Sequence, residues 1–116
     1  MHLEFFNQPG DLTRDHIMVI QNGKYLPFSE VNEATLRILY LRLLENEQSL
    51  QKIKMLKNYG VTTPREQVRQ FTQCNFASLN HIDDLDEQGT LNFEFIKCPL
   101  RNHGCKFNSD VCIKKY

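Results

Sequence analysis

Residues 17–44 read IMVIQNGKYLPFSEVNEATLRILYLRLL, and they set the architecture of this chain because a strand pattern gives way to a helix pattern within them. Two short apolar runs flank Asn22-Gly23, a pair suited to a tight hairpin turn in which both central residues have positive φ. We therefore predict a β-hairpin over residues 17–27. A lone hairpin is marginal in water, so it is expected to pack on the helices that follow.

After the hairpin, the apolar residues recur with a helical period. Ser29 stands where a helix N-cap is expected, and the apolar stripe runs through residues 31–44. The polar segment that follows predicts a break, with Asn46 capping a second helix that stops at Gly60. We therefore predict two helices rather than one long helix.

The sequence TPRE at residues 63–66 predicts the start of a third helix. It has a Thr at the N-cap, a Pro at the first helical position and a Glu at the third, which together form a capping box. Val68 and Phe71 follow on one face. Cys74 is therefore expected at or just past the end of this helix, facing the same way as Phe71.

The predicted fold is mainly α with a small β-hairpin, in a single domain over residues 1–116. The hairpin and helical core occupy residues 17–79, and a cysteine-rich appendix occupies residues 80–116. Within the appendix, the acidic stretch 83–89 is predicted to be a solvated loop, since it lacks the residue order of an EF-hand. The alternation over residues 91–96 predicts a short strand. The tail after it is too polar to fold without cross-links or a docking surface, so we expect an irregular, cysteine-stapled tail.

Composition narrows the classes of function. The chain has 41% hydrophobic residues, which suits a globular protein, and a formal net charge of zero, which gives no overall field toward nucleic acid. The N-terminus lacks the basic and apolar regions of a secretory signal, and no apolar run approaches a membrane span. We therefore expect a cytoplasmic protein without membrane contact, and in that compartment clustered cysteines bind metal more often than they form disulfides.

All four cysteines lie in the last 43 residues, spaced C-x23-C-x6-C-x6-C. Zinc takes four thiolate or imidazole ligands, so this clustering predicts a structural zinc site. The predicted ligands are Cys74, Cys98, Cys105 and Cys112, with His81 and His103 as substitutes. The spacings are longer than those typical of zinc fingers and ribbons, which leaves two alternatives open: buried thiols and two disulfides.

The helix pair over residues 50–77 is also similar to a helix-turn-helix, in which a second helix reads a DNA groove. The candidate DNA-binding residues in that interpretation are Arg65, Gln67, Arg69 and Gln70. An ordinary antiparallel helical hairpin is the favoured interpretation, since the turn is longer than the compact motif and the chain is neutral. No phosphate loop, GxSxG sequence or Gly-rich oxyanion turn accompanies the cysteines and histidines, so we predict that the chain is not an enzyme.

Three segments carry a resemblance to a known family: QNGKYLPFSEVNEATLR, PREQVRQFTQCNF and EFIKCPLRNHGCKFNSDVC. The chain resembles the cysteine-containing N-terminal region of small Bacteroidota and phage regulators that carry a LuxR-type helix-turn-helix after the last cysteine. The shared pattern is C-x-F, C-P-x-R, G-C-x-[FY] and a final Cys. Since this sequence stops at Tyr116, the resemblance implies a mobile-element or phage accessory module, with DNA reading absent or supplied by a partner.

The expected function is accordingly a non-enzymatic regulatory or interaction module with a structural four-cysteine zinc site. We expect its partner to be another protein or a second copy, contacted through the apolar helix face around residues 36–43. The alternative is a sequence-specific DNA-binding regulator that uses residues 50–77.

Overall fold

The computed structural model describes residues 3–7, 17–76, 84–85, 91–93, 105, 107 and 110–113. Within these residues there are three strands, a single 3-10 turn and three α-helices. They are β1 (Leu3–Asn7), β2 (Ile17–Gln21), β3 (Lys24–Pro27), the 3-10 turn Phe28–Glu30, α1 (Glu33–Glu45), α2 (Glu47–Asn58) and α3 (Pro64–Asn75). The prediction of a mainly helical fold with a small β unit is confirmed.

The strands form an antiparallel sheet in the order β1-β2-β3. β2 and β3 are the predicted hairpin, and its turn has positive φ at Asn22 (52°) and Gly23 (81°), as a two-residue hairpin turn of this kind requires. β1 was not predicted. It pairs with β2 so that Phe5 lies opposite Val19, which makes the hairpin part of a larger sheet.

The free edge of β1 is covered by a distant piece of chain. Leu3 and Leu85 exchange backbone hydrogen bonds, with N···O distances of 2.8 and 3.1 Å, and the Phe5 N–H donates to Asp84 Oδ2 at 2.7 Å. The predicted solvated loop over residues 83–89 is therefore wrong at Asp84 and Leu85, which are 1% and 2% exposed. Their burial follows from satisfying an edge strand whose N–H groups need acceptors.

Only the first half of the strand predicted over residues 91–96 is described. Leu91 forms a single β-bridge with Leu85, and no regular strand runs through residues 91–93. Residues 94–96 lie outside the described part of the chain. Through this bridge, Leu91 pairs with Leu85, the residue that covers the edge of β1.

The start of α1 differs from the prediction. Asn32, not Ser29, is the N-cap, and its side-chain oxygen accepts from the Thr35 N–H at 2.8 Å. Ser29 lies in the 3-10 turn Phe28–Glu30, and the extended conformation of Val31 separates that turn from the helix. The predicted cap is wrong because the burial of the Phe28 side chain holds this segment in a separate turn.

The other helix boundaries are confirmed. Asn46 accepts from the Ser49 N–H at 3.0 Å and begins α2, and Thr63 Oγ1 accepts from the Glu66 N–H at 3.3 Å to begin α3. Gly60, with φ of 89°, lies just beyond the C-terminal end of α2.

The end of α2 is a Schellman motif. The Val61 N–H donates to the Leu56 carbonyl at 3.0 Å, and the Gly60 N–H donates to the Lys57 carbonyl at 3.1 Å. Leu56 and Val61 also both contribute to the apolar core, as this motif usually requires. Backbone hydrogen bonds thereby fix the turn between α2 and α3, and the Gln67 side chain of α3 adds a bond to the Val61 carbonyl at 3.0 Å.

The apolar core lies between the sheet and the helices, and α3 contacts both. Its Val68 and Phe71 side chains are fully buried, between Leu36, Leu39 and Leu43 of α1 and the inner residues of β1 and β2. Phe107 and Val111, far along the chain, belong to the same core. Of the helices described, none combines the length and the apolar character that a membrane crossing requires.

Candidate thiol site at the end of the third helix

The last turn of α3 brings together cysteines that are distant in sequence. Cys74 lies in that turn, and its side chain is hydrogen-bonded to that of Cys112. Cys105 is close enough for its charge to act on Cys74. No disulfide joins these three in the described part of the chain. Two of the four predicted ligands, Cys74 and Cys112, are thus in contact at the end of α3.

Asn75 fixes the position of Cys112. Its side-chain amide is fully buried and donates to the Val111 carbonyl at 3.2 Å, and its oxygen accepts from the Ile113 N–H at 2.8 Å. The same Nδ2 also donates to the Phe71 carbonyl of the preceding helical turn at 3.1 Å. The backbone on both sides of Cys112 is therefore held by the residue that follows Cys74.

Apolar and aromatic contacts anchor the same part of the chain. Phe107 and Val111 are 4% and 1% exposed, and the Phe107 ring meets the Tyr59 ring edge-on at 5.5 Å. The Tyr59 hydroxyl donates to Asp110 Oδ2 at 3.0 Å. The tail was predicted to need cross-links or a docking surface, and the two buried side chains of Phe107 and Val111 dock it on the core.

Burial and the neighbouring thiol set the ionisation of Cys74. Its hydrogen bond with Cys112 and its desolvation raise the pKa of Cys74 well above its usual value of 9.0, and the charges of Cys112 and Cys105 add to the increase. Gln70 opposes this in part, since its Nε2 donates to Cys74 Sγ at 3.3 Å. The Cys74 side chain is therefore a neutral thiol at neutral pH.

The donor chemistry of this site fits zinc, but its described geometry is not a complete metal site. Cys74 and Cys112 are in contact and Cys105 lies nearby, which supplies soft sulfur donors of the kind zinc takes. Within the described residues, however, no group of three or more His, Cys, Asp or Glu side chains is arranged to hold a metal ion. Cys98 and the substitute ligands His81 and His103 lie outside those residues.

Two of the candidate DNA-binding residues face inward. Gln67 is 3% exposed, accepts from the Tyr40 hydroxyl at 3.0 Å and donates to the Val61 carbonyl at 3.0 Å. Gln70 is 7% exposed and bonds Cys74. These two amides are occupied by hydrogen bonds inside the fold, and the DNA-binding alternative stays a prediction.

The two arginines of that set make intramolecular contacts instead. Arg65 donates to the Val31 carbonyl at 2.9 Å and to Glu33 Oε1 at 2.7 Å, which ties α3 to the start of α1. Arg69 pairs with Glu66 at 3.3 Å within α3. The helix that resembled a recognition helix therefore uses its polar side chains to hold the fold.

Sequence reasoning did not single out Asn75. The only available signal was its place directly after Cys74 at a helix end, and an asparagine there is ordinary. Its role depends on residues 111–113, whose approach to α3 has no signature in the local sequence. A long-range polar contact of this kind is visible only in the structure.

Comparison with protein-family models, with curated proteins and with solved structures finds no match for this chain. The resemblance to the cysteine-containing region of phage and Bacteroidota regulators therefore stays a prediction.

Proposed function

We propose that this protein is a non-enzymatic regulatory and interaction module whose C-terminal segment is pinned to its helical core by a structural zinc site. The observation that carries the proposal is the contact between Cys74 and Cys112 at the end of α3, with Cys105 beside it. The proposal places the module in the cytoplasm, where thiols stay reduced and open to zinc. A role as a mobile-element or phage accessory protein belongs to this proposal.

The ligands in this proposal are the four cysteines, Cys74, Cys98, Cys105 and Cys112, with His81 and His103 as substitutes. Bound zinc would cross-link thiolates from separate parts of the chain. Cys74 presents its sulfur from the rigid last turn of α3, and the Asn75 amide holds Cys112 beside it. Because Cys74 is a neutral thiol without metal, binding must release a proton, and zinc affinity should fall as the pH is lowered.

A non-enzymatic role is supported by the state of the same thiols. Catalytic cysteines have a lowered pKa and sit in electropositive, partly exposed surroundings. Cys74 has a raised pKa, and Cys112 is only 6% exposed. These are the properties of structural thiols.

The surface proposed for the partner is narrower than the predicted face around residues 36–43. Leu36, Leu39 and Leu43 are buried in the core and cannot contact a partner. Ile38 and Leu41 are 46% and 51% exposed, and they stand on the outward side of α1. The correction follows from helical geometry, since residues 36–43 span more than two turns and must present both faces.

We assign this outward face to a second copy of the chain. Arg37 and Glu45 carry opposite charges on either side of Leu41, and both are exposed, with Glu45 also paired to Arg42 of its own helix at 3.2 Å. If two α1 helices pair antiparallel across a two-fold axis at Leu41, each Arg37 lies opposite Glu45 of the other copy. Such self-complementarity is the requirement for a symmetric dimer.

The zinc site is tested by native mass spectrometry of the purified chain, before and after treatment with a chelator. We expect one zinc per chain, and loss of zinc in Cys112→Ser. Val111→Ala is the matched control, since it loosens the same segment without removing a sulfur and should keep its zinc. A chain that takes up no zinc with all of its thiols reduced would contradict the proposal.

The dimer is tested by light scattering coupled to gel filtration over a range of concentrations. The wild-type chain should approach twice the mass of one 13.7 kDa chain as its concentration rises. Leu41→Glu should remain a monomer, whereas Gln51→Glu, an equal charge change on exposed α2, should behave as the wild type. A wild-type chain that stays monomeric at every concentration would refute the assignment to a second copy.

A further inference from the structure

We infer that Cys74 and Cys112 form a specific disulfide-forming site in the metal-free chain, with a low-molecular-weight disulfide as the oxidant and Asn75 as the positioning residue. The inference goes beyond the proposed zinc site, because it concerns the chain without metal. It assigns one particular pairing among the four cysteines.

The geometry favours this pair. A disulfide requires two cysteines whose backbones are held close and in a fixed orientation. The hydrogen bonds from Asn75 to Val111 and Ile113, at 3.2 and 2.8 Å, bracket Cys112 and fix it against the end of α3. Cys74, the residue before Asn75, is in side-chain contact with Cys112.

Cys105 is a less suitable disulfide partner for Cys74 than Cys112 is. Its side chain acts on Cys74 through charge alone, whereas Cys112 also shares a hydrogen bond with Cys74. Its backbone also lies outside the Asn75 clamp, since the bonds of that amide go to residues 111 and 113. Of the pairings between described cysteines, Cys74 with Cys112 therefore needs the least rearrangement.

The reaction is two successive thiol–disulfide exchanges with a small disulfide such as oxidised glutathione. The Cys74 thiol, which is more exposed than that of Cys112, first gives up its proton to solvent, and its sulfur then attacks the small disulfide, forming a mixed disulfide and releasing one glutathione thiolate. Because Cys74 is a neutral thiol at neutral pH, this first exchange is slow. The thiolate of Cys112 then attacks the Cys74 sulfur and releases the second glutathione. The two protons lost by the cysteines are taken up by the released thiolates, so the protein is oxidised by two electrons and the small disulfide is reduced.

The Cys74–Cys112 disulfide would attach residues 110–113 to α3 by a covalent bond. Without metal, this segment is held by Asn75, by the buried Phe107 and Val111, and by the Tyr59–Asp110 hydrogen bond. Closing a long loop removes conformational freedom from the unfolded chain. The oxidised chain should therefore unfold at a higher urea concentration than the reduced one.

The test uses the full chain, stripped of metal with a chelator and equilibrated in glutathione buffers of graded redox ratio. Remaining thiols are then alkylated, and the protein is digested and mapped by mass spectrometry. We expect the first product to lose the mass of two hydrogen atoms and to join the peptides carrying Cys74 and Cys112. Cys105→Ser should form the same product, and Cys112→Ser should not. A first product with any other pairing would overturn the inference.

The role of Asn75 is tested by comparing Asn75→Ala with Asn58→Ala, an exposed asparagine at the end of α2. We expect Asn75→Ala to need roughly tenfold more oxidising buffer for half-oxidation, because the two thiols lose their enforced proximity. Asn58→Ala should match the wild type. Circular dichroism shows whether each variant keeps its helices. If Asn75→Ala is folded and its redox ratio for half-oxidation equals that of the wild type, Asn75 is not a positioning residue.

The outcomes separate this inference from the zinc proposal. A chain that binds no zinc but forms the Cys74–Cys112 bond supports the disulfide site and refutes the proposed metal. A chain that binds zinc but forms a different first disulfide after the metal is removed supports the zinc proposal and refutes the disulfide site.

Discussion

The helical region and the two end segments of this chain are specified in different ways. Each helix carries its own start signal, since Asn32, Asn46 and Thr63 each bond an N–H three residues ahead. β1 and residues 110–113 depend instead on distant partners: the bond from Phe5 to Asp84 spans 79 residues and that from Ile113 to Asn75 spans 38. The middle of the chain is defined locally, and its end segments are defined by docking on that middle.

Phe76 joins the two kinds of region, so its removal should have the largest effect. Its fully buried ring lies 6.0 Å from that of Phe5, 5.7 Å from that of Phe71 and 5.6 Å from that of Phe93. Phe76→Ala should lower the free energy of unfolding by about 3–5 kcal/mol, measured by urea denaturation. Tyr25→Ala, which removes a ring that is 66% exposed, should cost less than about 1 kcal/mol. Equal losses of stability in the two variants would show that Phe76 does not join the helical region to the end segments.

Asp84 tests the docking of β1 alone. Asp84→Ala leaves the buried Phe5 N–H without its acceptor, which should cost about 1.5–3 kcal/mol. Amide hydrogen exchange should accelerate at Phe5 while the amides of α2 keep their protection. Asp84→Asn retains an acceptor oxygen and should cost less. Uniform acceleration across the helices would show that β1 and the helical region are not separable in this way.

The docking of the C-terminal residues should depend on pH in the metal-free chain. The pKa of Cys74 is raised above its ordinary value of 9.0, so the folded chain keeps a proton that the unfolded chain loses. This stabilisation is complete below about pH 9 and is lost as the pH rises toward the folded-state pKa, with a slope of up to about 1.4 kcal/mol per pH unit.

The measurement is urea unfolding between pH 7 and pH 10.5, in wild type and Cys74→Ser. Tyr59 contributes with the same sign, because its hydrogen bond to Asp110 also raises the pKa of the phenol. Tyr59→Phe separates the two groups. A Cys74→Ser variant that keeps the full slope of the wild type would assign the effect elsewhere.

Removing a helix N-cap should have the smallest effect on the free energy of unfolding, and Ser29 supplies a matched control. Asn32→Ala and Thr63→Ala should each lower the free energy of unfolding by about 1 kcal/mol, since each removes an oxygen that accepts from a helix N–H. Ser29→Ala should change it by less than about 0.5 kcal/mol, because Ser29 caps no helix in this fold. If Ser29→Ala lowered the free energy of unfolding more than Asn32→Ala, the N-cap that the sequence predicts at Ser29 would be correct.

The sequence predicts this fold where the signals are local. The hairpin turn at Asn22-Gly23, the break at Asn46 and the cap at Thr63 each follow from a few adjacent residues, and each is confirmed. The sequence predicts a cap at Ser29, and it does not distinguish Ser29 from Asn32, because each is a good capping residue followed directly by a glutamate. What separates them is the burial of Phe28, which depends on the core and not on the cap.

The parts that could not be predicted depend on long-range pairing. Residues 3–7 read LEFFN, which lacks the regular alternation of apolar and polar residues that indicates a strand, and the partners that make this segment a strand lie at β2 and at residues 84–85. The burial of Asp84 inside an acidic run has no local signature, since its partner is the edge of β1. Within the predicted four-cysteine site, the position of Cys74 at the helix end follows from sequence periodicity, whereas the approach of Cys112 depends on Asn75.

The bond between Asn75 and residues 111–113 also sets when the chain can finish folding during synthesis. The helices and the hairpin are complete once residue 76 has left the ribosome, but the end of α3 stays uncovered until Phe107 and Val111 emerge. During that interval the Asn75 amide and the Cys74 thiol lack the partners that residues 111–113 supply, and both are open to solvent and to other chains. A nascent chain paused before residue 107 should therefore be the species most prone to aggregation and to mispaired cysteines.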